Sequence, residues 1–207
     1  PHNYDYTNKN INMYLPPVLN RLYDKYQKPI LQSEIGINWQ NGANTARIDP
    51  TGITLRQAAW AGMMGGGAGG AMHWWWDSWV HPYNLYYQFK GAGSYAARLD
   101  LSGEDCQLLD KKDASFSDPA LSVLGYRYSD RLYGYIYDQR WIHSNDKSAP
   151  MDNITFRLTL NHGDYRITYY HSITGEAIKT EDFTADGYCE FTLPDFHRDI
   201  AFIIKKR

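Results

Sequence analysis

Glu34 closes the apolar run 28–36, Lys-Pro-Ile-Leu-Gln-Ser-Glu-Ile-Gly, which reads as a buried strand delivering one carboxylate into a glycine turn. A buried strand seldom ends on an acid unless the acid has work to do. About forty residues on, the run 70–77, Gly-Ala-Met-His-Trp-Trp-Trp-Asp, ends in three indoles and a second carboxylate. A nucleophilic or acid–base carboxylate beside indoles, which stack on the apolar faces of pyranose rings, suits chemistry on sugars.

These residues need elements to position them. Apolar positions recur at three- to four-residue spacing over 10–26, predicting an amphipathic helix that accepts Pro16 and Pro17 near its first turn. Lys28-Pro29 stops it, a short strand follows over 30–34, and 38–51 reads as a long polar loop. Thr54 is a candidate cap for a helix over 54–64. The glycine run 65–70 lacks the Lys-Ser or Lys-Thr of a phosphate loop and reads instead as a helix stop that permits close packing. A strand over 71–77 and a helix over 85–101 complete a βα series, so the sheet should be parallel, with active groups at the C-terminal ends of its strands.

From Cys106 onward the periodicity changes to two, with strands over 133–137, 154–160, 165–170, 187–193 and 200–204 separated by Asn-His-Gly-Asp and Thr-Gly turns. The expectation is an α/β part over 1–103 followed by a small antiparallel β-sandwich over 104–207.

Composition excludes several classes. The 207 residues carry a formal net charge of −2 with 21 Lys and Arg scattered along the chain, which argues against nucleic acid or an anionic membrane as partner. No apolar run is long enough to cross a bilayer. His73, His81, His143, His162 and His171 have no metal-ligand spacing, so neither metal nor cofactor is expected. Cys106 and Cys189 read as free thiols, with a bridge across the β-rich half as the alternative. Eighteen Tyr and 7 Trp against 7 Phe put a polar handle on most aromatics, as ligand-facing surfaces do, although Tyr-rich strands explain most of the tyrosines and fewer of the tryptophans.

The set His2-Asn3-Tyr4, Ser33-Glu34-Ile35-Gly36 and Trp74-Trp75-Trp76-Asp77, each at a strand end and in this order, resembles the last three strands of a clan A glycoside hydrolase barrel, of the family 5 cellulase and mannanase type. The resemblance covers residues 1–103 and implies the C-terminal part of a TIM (β/α)8 barrel, from the end of strand six to helix eight. It also implies a retaining hydrolase cleaving β-glycosidic bonds in a polysaccharide or oligosaccharide, acting without cofactor. Glu34 would be the nucleophile, His2 and Tyr4 would hold its oxygens, and a tryptophan from 74 to 76 would floor the sugar site. Residues 165–176 are similar to a strand-turn-strand of the small sandwich appended to such barrels.

In that family the acid/base glutamate ends strand four, and neither it nor strands one to five fall within these residues. A second polypeptide or a second copy is therefore expected to complete the barrel, and a secreted or periplasmic setting follows from the substrate class. A non-catalytic carbohydrate-binding or scaffold protein is the alternative. For single residues the alternatives are equally concrete. Glu34 could be a structural acid paired with Arg56, one or two of the three consecutive tryptophans could pack in the core, and Asp77 could cap a turn or bind a sugar hydroxyl. Trp39, Trp79 and His81 lie in loops with freer access to a ligand.

Overall fold

The computed structural model describes residues 2–109, 111–145 and 149–207. Its first half is a short parallel array. Strand β1 (His2–Asn3) pairs in parallel with β2 (Glu34–Ile35), and a further parallel bridge joins Ile35 to His73. Between them run the crossovers, α1 (Ile11–Tyr26) and then α2 (Gly42–Ile48) with α3 (Ile53–Met64). The parallel order expected from the βα alternation is therefore present, but the regular strands are much shorter than the apolar runs that announced them. Residues 30–32 still hydrogen-bond in passing, through Ile30 to Ala68 and Gln32 to Met72.

Helix α1 starts one residue after the expected position, with the Asn10 side chain accepting from the Asn12 N–H as its cap, and Pro16 and Pro17 lie in its second turn. Polar residues 38–51 do not form a plain loop. Asn41 caps a two-turn helix, α2, by accepting from the Asn44 N–H. Nor does Thr54 cap α3. The buried Asp49 carboxylate takes that role, accepting from the N–H groups of Gly52, Ile53 and Thr54 and from the Thr54 hydroxyl. An acid with four donors at a helix start satisfies most of its otherwise orphaned N–H groups.

All twelve residues of α3 are buried, because α1 and the helix over 87–96 flank it and the antiparallel sheet packs against it. The region expected as a strand over 71–77 contributes one bridged residue, His73, and then winds into a π-helix, Trp76–Val80. Helix α4 (Tyr87–Ala96) is shorter than the expected 85–101.

The second half is antiparallel: β3 (Gln107–Leu109), β4 (Ala114–Phe116), β5 (Leu121–Arg127), β6 (Arg131–Asp138), β7 (Thr155–His171), β8 (Ala177–Thr192) and β9 (Asp199–Lys206). Among the described residues these seven form one hydrogen-bonded sheet in the order β3-β5-β6-β9-β7-β4, with β8 on the other edge of β7. The separate two sheets of a sandwich are not what this pairing gives. The reason is β7, long enough to pair with β4 through its first part and with β9 through its last, so that the sheet curls over its own core. Asn161-His162-Gly163-Asp164 is no turn either. It is an irregularity inside the β7–β8 ladder, where the register shifts between Leu160 and Gly163. The turn sits at Thr174-Gly175, with Gly175 at φ +72°.

Strands β5, β6 and β9 are buried on both faces. Val123, Ile136, Phe202 and Ile204 face the interior of the curl, whereas Tyr126, Tyr133, Tyr135, Tyr137 and Ile203 join the core around α1 and α3. Cys106 is exposed and Cys189 buried, both as free thiols.

Candidate active site

Parallel pairing sets His2 opposite Glu34 and Asn3 opposite Ile35. Side chains two apart on a strand share a face, so Tyr4 and Gly36 lie beyond the His2 and Glu34 pair on the same side. The consequence is direct. His2 Nδ1 is 2.9 Å from Glu34 Oε2, and the Tyr4 hydroxyl donates to Glu34 Oε1, so one residue of the His-x-Tyr pair holds each carboxylate oxygen. Burial, and after it the bond to Glu34 and that carboxylate's charge, raise the Tyr4 pKa, which keeps the phenol protonated as a donor.

Glu34 is only partly buried, its side chain 16% exposed, whereas its neighbour Ile35 is fully buried in the core behind. The strand thus anchors with one face and presents the acid with the other. The Gln32 side-chain amide donates to the Glu34 carbonyl oxygen at 2.6 Å, fixing the backbone that carries the acid. Arg56, the candidate structural partner of Glu34, is elsewhere. Its guanidinium lies 3.4 Å from Asp199 and over the ring of Trp141. Among the described residues no group of three or more His, Cys, Asp or Glu is arranged to hold a metal ion.

Gly36, read from the sequence only as the turn after Glu34, contributes to the site through its lack of a side chain. A Cβ there would sit 2.6 Å from Cδ1 and 2.8 Å from Cε1 of Tyr4, so the phenol ring reaches Glu34 by lying across a bare Cα. The signal was available in principle, since the register puts residue 36 beside residue 4.

The tryptophans divide. Trp39, 71% exposed, Trp74 and Trp76 are open to solvent close to this strand end in sequence. Trp75 is half-buried, its indole N–H donating to the Asn38 carbonyl at 2.7 Å, which ties the loop after β2 to the loop after His73. Trp79 corrects the expectation of a loop residue free to meet ligand. It is fully buried, with its indole N–H on the Asp49 carbonyl and its ring 4.7 Å from that of His73. The π-helix turns it inward. His81 is exposed and contacts the Tyr86 hydroxyl at 3.0 Å, and Asp77 is exposed in the first turn of the π-helix. His73 is buried and its pKa falls to about 3 through desolvation, so it is neutral at ordinary pH.

No family model and no curated protein matches the chain. Solved structures do. A structure described as a glycoside hydrolase superposes with a TM-score of 0.55 at 13% identity, over 93% of this chain and 46% of that one. Lower in similarity are a GH30 endoxylanase from Clostridium papyrosolvens C71, at a TM-score of 0.49 and 12% identity over 93% of this chain and 46% of that one, and a glycoside hydrolase family 5 structure from Bacteroides vulgatus ATCC 8482, at 0.44 and 12% over 73% and 35%. The chain spans about half the length of the first of these structures. At such identities the likeness is one of fold. The chain shares the fold of about half of a glycoside hydrolase structure.

Proposed function

We propose that this chain supplies the nucleophile side of the active site of a retaining glycoside hydrolase acting on β-linked polysaccharide or oligosaccharide. The observation that carries the reading is Glu34 at a parallel strand end, with His2 and Tyr4 each holding one of its oxygens. Held in this way the carboxylate cannot rotate away from an anomeric carbon. Attack forms the Glu34–glycosyl bond as the glycosidic C–O bond breaks, and water then opens the ester. The departing oxygen needs a proton from a second carboxyl about 5–5.5 Å from the nucleophile. Residues outside 1–103, in the remainder of the barrel, would provide it, whether in a longer chain, a second polypeptide or a second copy. Trp39, Trp74 and Trp76 would stack on sugar rings. Trp75 would brace them through Asn38, and Asp77 would bind hydroxyl groups at the rim.

In this reading residues 1–103 form the catalytic part and 104–207 a sheet module packed against it, and the polymeric substrate points to a secreted or periplasmic protein. A carbohydrate-binding or scaffold role without catalysis is the competing reading, since the groups bonded to Glu34, which are His2 and Tyr4, include no acid/base carboxyl.

The test is covalent trapping in the protein with its barrel complete. A 2-deoxy-2-fluoro glycoside with a good leaving group should inactivate it and leave its mass on the peptide containing Glu34. Glu34→Gln should take up no label and still bind oligosaccharide. Labelling of a different carboxylate, or full hydrolysis by Glu34→Gln, overturns the assignment.

A further inference from the structure

Cations meet without matching anions on the face of the antiparallel sheet beside the end of α4. Pairing of β7 with β9 sets Arg166 opposite Lys205, and pairing of β9 with β6 sets Lys205 opposite Arg131. Residues directly opposite one another share a face of the sheet, so these three form a row of like charges across neighbouring strands, an arrangement that is destabilising in itself. Arg131 is neutralised locally by Asp130 at 2.8 Å. Arg166 is held by Asp182 through two hydrogen bonds, at 2.7 and 3.0 Å, but Arg207 draws on the same carboxylate at 3.0 Å. Lys205 has neither a hydrogen bond nor an ion pair among the described residues.

Arg98, two residues past the end of α4, adds to this excess. It donates to the Ser94 carbonyl and lies over the Tyr170 ring, 5.0 Å from its centroid, so its position is set by two contacts, neither of them with an acid. Tyr170, Thr168 and Arg166 alternate along one face of β7, and with Arg98, Lys205 and Ile203 they line an open cavity of about 360 Å³. No carboxylate lines it among the described residues.

The lining narrows the occupant. Guanidinium and ammonium groups bind oxyanions through short, charge-assisted hydrogen bonds, and an anion placed among Arg98, Arg166 and Lys205 turns their mutual repulsion into attraction to a shared partner. The Thr168 hydroxyl, 3.1 Å from that of Thr180, can accept from it and keep its own hydrogen for a ligand. The volume falls within the range of roughly 300–1,000 Å³ usual for small-ligand sites.

We infer that this cavity binds the oxyanion group, carboxylate or phosphate, of a small acidic ligand, at a site on the sheet that includes neither Glu34 nor its partners. The inference stands on the sheet register and the charge balance and is independent of the glycosidase reading.

Inorganic phosphate, glucuronate, glucose 6-phosphate and, as a neutral control, glucose are titrated calorimetrically into the full chain at low ionic strength. The expected result is one site per chain for at least one of the anions and none for glucose. Lys205→Gln and Arg98→Gln should each weaken that site about tenfold or more, while Lys90→Gln, which removes an exposed cation outside the cavity, leaves it unchanged. Phosphate bound as tightly as the sugar derivatives identifies the free ion as the ligand, and tighter binding of either sugar derivative identifies the sugar-borne group. Because Lys205→Gln also relieves a like-charge contact, its melting temperature without anion should equal or exceed that of the wild type, which separates lost binding from a folding defect. Failure of all three anions to bind, indifference to Lys205→Gln and Arg98→Gln, or an equal loss from Lys90→Gln overturns the site.

Discussion

Gly36→Ala is the sharpest perturbation of the proposed site, because it adds one methyl group outside the reacting set. Gly36 does not have positive φ, so alanine suits its backbone and the whole effect falls on the Tyr4 ring. Moving that ring from 2.6 Å to an ordinary 3.4 Å contact requires about 0.8 Å of displacement, by subtraction of the two distances. Tyr4 is short of room to move and still donate to Glu34. A hydrogen bond to a charged group contributes about 1.5–3 kcal/mol, which at 1.36 kcal/mol per decade is roughly 10- to 150-fold in rate if the bond matters in the transition state. The assay is kcat/KM on an aryl β-glycoside with the barrel complete, for Gly36→Ala, Tyr4→Phe and the pair. Both substitutions remove the same hydrogen bond, so the double variant should lose little more than Tyr4→Phe alone. Wild-type kcat/KM in Gly36→Ala, or losses that simply add, would refute the argument that Gly36 acts through Tyr4.

The tryptophans should separate by role. Trp39→Ala and Trp76→Ala weaken oligosaccharide binding by about 1–3 kcal/mol with unchanged melting temperature, whereas Trp79→Ala, at a fully buried position, costs roughly 3–5 kcal/mol of stability, seen in a denaturant midpoint. Gly91→Ala forces α4 off the Ser172 carbonyl and should destabilise by about 1–3 kcal/mol or more; an unaltered melting temperature would show that α4 is not docked there. His73 is kept neutral by burial, with its pKa lowered from 6.5 to about 3. The unfolded chain therefore takes up the proton first, and stability present above pH 6.5 falls as pH drops toward 3, by about 3 kcal/mol at pH 4 for this group. His73→Phe should lose less stability than the wild type between pH 7 and pH 4 in urea unfolding, and equal losses would remove His73 from the account.

Local patterns were legible where a single helix or strand decides its own pattern. The apolar spacing over 10–26 defines α1 nearly to the residue, and the Glu34 strand end emerges from one apolar run. Other features depend on partners distant in sequence. The cap of α3 is Asp49, five residues before Thr54, and only the folded loop brings them together. Residues 71–77 read as a strand, yet from Trp76 the chain winds into a π-helix that buries Trp79 beside His73. The Asn-His-Gly-Asp segment has turn chemistry, but β8 pairs on both sides of it and holds it as an irregularity within one long ladder. Tertiary pairing overrode local preference in each case.

The abundance of tyrosine illustrates the same point for function. A polar-handled aromatic suits a ligand surface, but it equally suits a seam where an apolar face must meet backbone carbonyls. Here the second use dominates. Tyr126 donates to the Met63 carbonyl at 2.7 Å, Tyr95 to the Phe202 carbonyl at 2.7 Å and Tyr135 to Asp199 at 2.8 Å, while the Tyr135 ring stacks on Trp60 at 4.6 Å. The first two bonds and the Trp60 stacking cross between the helices and the antiparallel sheet, whereas the Tyr135 bond joins β6 to β9. Phenylalanine at these places would bury the same ring and remove one donor from each facing oxygen. The sheet module is thus fastened along α3 by directional contacts as well as by area, and α3 in turn backs the strand that carries Glu34. Tryptophan, not tyrosine, is the aromatic left exposed in the loops beside that strand end, at Trp39, Trp74 and Trp76. Under the proposed function the informative aromatics are those few indoles, and several of the buried tyrosines instead fasten two differently folded halves together.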